Sequence, residues 1–382
     1  MHRLIEKLPT LNQPSSGNNP TLSGNTTLSS PTWSASDIAY NEVGIIELKA
    51  NLTDNSYLGI DDILGKSGYV GRFTPDHYRA TIDSHGAYQA MCSGLFTYSG
   101  QAMNYLSTPS LFISAENAAN NTTLNYRDGF IKLDNSSVTI QAPSSDSTNS
   151  LSLEVRDALL NTVLSNLSDG TLVSNNDGTV TYTLNATDKL NYIKNSAAQL
   201  NPFQTNIDLI TNNIIDSDSI TYLGTLPTIE PSAVELRFGR IVTKNVFGSE
   251  LIALDMPMYV QYYNNGFILN SDDTCSINPS SITYNKQVTT TENINGTLSV
   301  ASDGINFSPP GTGTGYVDVV MDIGLNGDQF FWLQYDWDGD GDYFDTAGDA
   351  SLPGKGNNPP YSRASFGIYN RSKRIIYTRE LY

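Results

Sequence analysis

The sequence predicts an all-β protein, built of tandem immunoglobulin-like β-sandwich domains with few short helices. Three observations carry that prediction. Apolar residues recur with period two along most of the chain, which is the repeat of a half-buried strand. Turn signals such as Asn176-Asp177-Gly178 and Asn265-Gly266 punctuate the runs at short intervals. Tyr is abundant at 22 residues while Lys plus Arg total only 21, with polarity supplied by Asn, Ser, Thr and Gly. Such side chains suit strand faces and turns and compete with the backbone in helices.

Residues 10–32 are rich in Asn, Ser, Thr, Gly and Pro and nearly free of charge, so residues 1–32 read as a linker or N-terminal extension. Periodicity starts after Trp33. Val138 and Ile140 alternate with polar residues, as do Leu151, Leu153 and Val155. Residues 179–184 (Thr-Val-Thr-Tyr-Thr-Leu) follow the first turn signal. Met256, Met258, Val260 and Tyr262 alternate up to Asn265-Gly266, and Phe267 and Leu269 return. Val317, Val319, Met321 and Ile323 alternate with Asp318 and Asp322 outward. Phe366 and Ile368 face Ile375 and Tyr377 across residues 370–373 as a closing hairpin. Residues 155–165 and 189–200 are the two helical candidates. With roughly 150 residues per domain as a guide, Asn/Ser/Asp-rich stretches place β domains at 33–125, 126–225 and 226–382.

The bulk numbers exclude several classes. A net charge of −18 argues against nucleic acid and anionic lipid, both of which need clustered Lys and Arg. It permits a divalent cation, which relieves the repulsion of gathered carboxylates. Two cysteines are too few for a disulfide scaffold or a zinc site. No apolar run approaches the ~20 residues of a membrane helix, so no membrane insertion is expected. The start Met1-His2-Arg3-Leu4-Ile5 lacks the apolar core of a signal peptide, so an exported protein would carry its signal elsewhere.

One segment carries chemistry. Asp336, Asp338 and Asp340 occupy alternate positions of a tight loop, with Gly341 where the chain must turn and Asp342 and Asp345 close by. Alternate residues can aim carboxylates at one ion, and glycine tolerates the wrap around it. Five aspartates in ten residues repel one another unless a cation sits among them. Calcium is therefore the expected cofactor. The loop is not an EF-hand, since Ala347 stands where the last Glu would be. Trp332, Tyr335 and Trp337 crowd the loop. They read either as anchors packed beneath it or as a ligand-binding surface for sugars. His77 and His85, with Asp76 and Asp83 nearby, read as surface histidines on a hairpin rather than a metal site. No Gly-x-Ser-x-Gly elbow is present, and no pair of carboxylates stands out for glycoside hydrolysis.

Several ordered segments resemble one family. Residues 70–78 (Val-Gly-Arg-Phe-Thr-Pro-Asp-His-Tyr), 96–101 (Phe-Thr-Tyr-Ser-Gly-Gln), 235–240 (Glu-Leu-Arg-Phe-Gly-Arg), 248–251 (Gly-Ser-Glu-Leu), 272–275 (Asp-Asp-Thr-Cys) and 332–341 are similar to segments of MshQ-like proteins. So are residues 363–369 and 374–380. These belong to the mannose-sensitive haemagglutinin (MSHA) type IV pilus system of Gram-negative bacteria. The resemblance spans about residues 33–382. It implies an extracellular, cell-surface or pilus-linked protein without known catalysis, whose relatives are longer. Cys92 and Cys275 each lie beside one of these segments, and in an exported protein a close pair would be oxidised, the alternative being two separate buried thiols.

The expectation is thus a non-catalytic surface or pilus-associated structural or adhesive protein. Calcium stiffens its last domain, and its partners are pilus or other surface proteins, glycans, or abiotic and host surfaces. A carbohydrate-binding module is the alternative, and a glycan-active enzyme the more distant one.

Overall fold

The computed structural model describes residues 2–8, 18, 20–24, 27–29, 38–52, 65–146, 148–149, 151–160, 162–194, 199–276, 288–297, 305–321, 330–335 and 361–367. Strands dominate these residues, arranged in several small and mostly antiparallel sheets, so the all-β class stands. Among the described residues, helix is confined to three-residue 3-10 turns at Asp128–Phe130, Asn135–Ser137 and Phe331–Leu333.

Against the expected segments 33–125, 126–225 and 226–382, the chain gathers into two compact units. Unit 1 holds Met1–Tyr88, Asn104–Leu190 and Asn206–Ala233. Unit 2 holds Gln89–Met103, Asn191–Thr205 and Val234–Tyr382. The chain therefore passes between the units five times.

Unit 1 contains a four-stranded antiparallel sheet in the order Thr171–Ser174, Thr179–Thr183, Ser110–Glu116, His77–Ser84. The period-two reading holds here: Leu111, Ile113, Val180 and Tyr182 are buried. Asn176 and Gly178, both at positive φ, close the hairpin as the sequence signal requires. A second sheet orders Val138–Gln141, Leu209–Ile214 and Thr228–Ile229. A third orders Thr27–Ser29, His2–Leu8, Gly44–Leu52 and Gly65–Phe73, all antiparallel. The stretch 1–32 thus supplies two strands. Between them, Asn18 is clamped by one side chain: its N–H donates to Asn125 Oδ1 and its carbonyl accepts from Asn125 Nδ2, both at 2.7 Å.

The helical candidates are corrected. Residues 153–156 and 163–164 are strands paired to each other, Val155 opposite Leu164 and Arg156 opposite Val163. Asp157 explains the reversal, since its carboxylate accepts from the Leu159 N–H at 3.2 Å and its carbonyl from Leu160 at 3.0 Å. A side chain that caps its own turn competes with a helix. At the start of the second candidate, Lys189–Tyr192 is likewise a strand, while its residues 195–198 lie outside the described residues.

Buried polar groups in unit 1 are largely paired. Tyr78 donates to Asp216 Oδ2 at 2.5 Å, and the Tyr126 hydroxyl lies 2.8 Å from that of Tyr78. His77, expected at the surface, is buried. Its Nδ1 lies 2.9 Å from Asp76 and its Nε2 3.2 Å from Glu116, which also accepts from Arg79 Nε at 3.1 Å. The residue is committed to carboxylates on both sides, one of them directly across the strand pair. His85 instead accepts the Glu230 N–H through Nδ1 at 2.9 Å.

Asp188 departs from this pattern. It is 1 % exposed, with Oδ2 accepting the Ser168 N–H at 2.6 Å and Oδ1 without a hydrogen-bond partner. Burial pushes its carboxyl above the ordinary value; the Ser168 groups pull back and Asp157 adds to the rise. A raised folded-state value means the contribution is full below the unfolded value near 3.9 and is lost as pH rises through the folded value. Asp188→Asn should therefore melt above the parent at pH 8, with the gap closing towards pH 4. A calorimetric series showing a constant gap would contradict this account of Asp188.

Candidate functional site

Unit 2 carries the residues that the sequence singled out. Its core joins Cys92, Phe96 and Tyr98 to Ile241, Met256, Val260, Phe307, Val317, Val319, Leu333, Ala364 and Phe366. The strand Phe96–Tyr98 lies parallel to Glu235–Arg237, whose other neighbour is Phe203–Gln204, antiparallel. A second sheet runs Gly239–Thr243, Met258–Tyr263, Phe267–Leu269, its hairpin turned by Asn265 and Gly266 as expected. A third orders Val246–Gly248, Tyr361–Phe366, Gly315–Met321 and Val288–Ile294. Val317 and Val319 face the core. Asp318, expected outward, is buried on the opposite face, where Arg363 directly across grips it with Nε at 2.5 Å and Nη2 at 2.8 Å. Arg363 in turn lies over the Tyr316 ring at 3.8 Å. This ion pair covers what the pattern alone would have left to solvent.

Asp336, Asp338, Asp340, Asp342, Asp345 and Trp337 lie outside the described residues, as do 368–382 with the closing hairpin. What the structure describes is the segment from which the aspartates spring, residues 330–335. Leu333 is buried in the core, and its N–H closes the 3-10 turn on the Phe330 carbonyl at 2.8 Å. Trp332 and Tyr335 are both half-buried. Tyr335 meets Phe267 and Phe238 edge-on, at 5.1 and 6.4 Å between centroids, and its hydroxyl accepts from Gln199 Nε2 at 2.7 Å. Arg240 lies between two of these rings, 3.5 Å from Phe267 and 4.9 Å from Tyr335, with Nε and Nη2 both on Gln261 Oε1. Burial lowers the Arg240 pKa, and Tyr335 works against that shift. Rings packed edge to face and capped by a guanidinium form an anchor.

Lys194 ties this anchor down. Its Nζ donates to the carbonyls of Gly239 at 2.6 Å, Trp332 at 2.6 Å and Gln334 at 2.5 Å. Burial, with Arg240 nearby, draws its pKa well below the usual lysine range. The three carbonyls pull the other way, because only the ammonium has three N–H bonds to give. Gly239 is required here: a Cβ would lie 2.4 Å from Tyr98 Cε1.

The second node is covalent. Cys92 and Cys275 form a disulfide, with Cα atoms 5.2 Å apart across a sequence separation of 183. Side chains sew the strands around it. Ser93 Oγ donates to the Asp272 carbonyl at 2.6 Å and accepts the Thr274 N–H at 3.0 Å. Asp273 Oδ1 accepts the N–H groups of Cys275 at 3.0 Å and Ser276 at 2.8 Å, and its Oδ2 accepts from the Tyr98 hydroxyl at 2.5 Å. Burial, then Asp273, raise the Tyr98 phenol far above its ordinary value. Arg237 holds Glu235, Asn270 and Asp272 at 2.6, 2.7 and 3.0 Å and lies over the Phe96 ring at 4.1 Å. Among the described residues, Cys92, Asp273 and Cys275 are the one acid and thiol grouping close enough to hold a metal. Both sulfurs are committed to each other, so they offer no thiolate.

Composition and periodicity did not single out Lys194, Arg237, Arg240, Tyr98 or Asp273 as site residues. For all of these but Lys194 the available signal was the resemblance: residues 96–101, 235–240 and 272–275 hold Tyr98, Arg237, Arg240 and Asp273. All three histidines lie in unit 1, so unit 2 has no imidazole to serve as a base.

Family models match two spans of the chain. The third domain of DUF6701 covers residues 42–229, and the fourth covers residues 237–381. A search of curated proteins finds no match. With most of its length inside these two spans, the chain belongs to the DUF6701 family.

Proposed function

We propose that the chain is a non-catalytic component of a bacterial cell surface or pilus, of the MshQ-like kind in the MSHA system. In this reading it takes part in attachment or in presenting a tip. One observation carries it: the disulfide between Cys92 and Cys275, since such bonds persist in oxidising, extracytoplasmic compartments. The anchored root at 330–335 supports a structural role for the acidic segment. Asp336, Asp338 and Asp340, with Asp342 and Asp345 in reach, bind calcium and stiffen the end of unit 2. Partners in this reading are other surface or pilus proteins and the surfaces or glycans they touch.

The test has two arms. Millimolar calcium should raise the melting temperature over chelator by several degrees, because a ligand that binds only the native state stabilises it. The charge-neutral change of Asp336, Asp338 and Asp340 to Asn should abolish that rise, and an unchanged parent melt removes calcium from the reading. In the bacterium carrying the gene, protease added to intact cells should degrade the chain, and deletion should reduce attachment. A chain shielded inside the cell, with two titratable thiols, overturns the surface assignment.

A further inference from the structure

The disulfide divides the chain in a way that bears on mechanics. Strands from Phe96–Tyr98 to Phe267–Leu269 lie within the loop it closes. Strands up to Ala87–Tyr88, and those from Val288–Ile294 to Tyr361–Phe366, lie outside it. We propose that the Cys92–Cys275 bond is a tension shunt: once the outside strands have let go, a pull between the chain ends crosses the bond and leaves residues 93–274 unextended. The purpose of such a shunt rests on the attachment role proposed above, but its mechanics do not.

Placement of the bond supports the proposal. Cys92 sits in the core of unit 2, and the hydrogen bonds of Ser93, Asp273 and Tyr98 fasten the residues on either side of it. Load arriving along either end therefore meets covalent continuity inside a packed body, not a strand that can slide. Besides the pairings among outside strands, load reaches the seams that join an outside strand to an inside one. In unit 1 these are His77–Ser84 on Ser110–Glu116 and Ala87–Tyr88 on Tyr105–Ser107, and in unit 2 they are Tyr361–Phe366 beside Val246–Gly248 and Asn306–Phe307 on Leu254–Asp255. Whichever seam gives way, only the chain outside the loop is released while the bond holds.

Optical tweezers on the full chain, with handles at both ends, read this directly. Oxidised molecules should stop short of full extension. Adding a phosphine reductant to the same stretched molecules should lengthen them by 183 residues at ~3.5 Å each, about 640 Å. Because the reductant is added after unfolding, the result does not depend on a cysteine variant that folds. Oxidised molecules that reach full length, or reductant that adds nothing, overturn the shunt. Either result leaves the surface assignment to its own protease and attachment test, and a cytoplasmic chain with the 640 Å step would reject that assignment alone.

Discussion

Residues 234–382 made without residues 89–103 are expected not to fold. The fourth-domain span starts at residue 237, yet the core of unit 2 takes Cys92, Phe96 and Tyr98 from an excursion more than a hundred residues upstream. Phe96 and Tyr98 are both fully buried. Phe96 packs edge-on to Tyr98 at 5.0 Å and lies beneath the Arg237 guanidinium. Removing one buried aromatic ring costs about 3–5 kcal/mol. Domains as a rule hold only about 5–15 kcal/mol in total, so losing both rings and a neighbouring strand removes most of the margin. In the full chain, Phe96→Ala alone should lower the unfolding free energy of unit 2 by about 3–5 kcal/mol in a denaturant titration. A fragment of residues 234–382 with dispersed amide resonances and a cooperative melt would show that the excursion is dispensable.

Replacing Lys194 should be the next most damaging change. Its one amine satisfies three part-buried carbonyls, and an acceptor left buried and unsatisfied costs about 1–3 kcal/mol. Lys194→Met keeps most of the apolar volume and deletes only the donors. A loss of about 3 kcal/mol or more is expected, concentrated where the carbonyls belong. Hydrogen exchange should then quicken at Leu333, whose amide is held in the turn above the Lys194 contacts, before it quickens in the sheet of unit 1. A Lys194→Met variant with parental stability would mean that those carbonyls find other partners, and the anchor would not need its lysine.

Much of the fold was legible because strand burial is a local matter. Val138 and Ile140, Val180 and Tyr182, and Val317 and Val319 all face inward as alternation requires, and Asn265-Gly266 turns its hairpin. Two of the misreadings share one cause, a partner distant in sequence. Asp318 is buried because Arg363 lies across from it, and His77 because Glu116 does. Residues 155–165 looked helical through Ala158, Leu159 and Leu160, but Asp157 turns the chain. The candidate site was half legible. The anchoring role of Tyr335 was one of two readings of the aromatic cluster, whereas nothing near Lys194 marks it. Its acceptors are carbonyls, which every residue has, and they sit about 45 and 140 positions away. Interleaving of the two units leaves no local trace either, because each crossing is an ordinary strand followed by an ordinary loop.

That interleaving sets a timetable for the chain's synthesis. Ribosomes add roughly 5–20 residues per second, so Cys92 emerges some 10–35 seconds before Cys275. For most of that interval Phe96 and Tyr98 have been made but their packing partners beyond residue 240 have not. Unit 2 consequently cannot assemble as its first segment appears and must close late, when most of the chain already exists. A newborn chain of this kind is most exposed to wrong association midway through its own production, and a holding factor that covers residues 89–103 would be most useful at that moment.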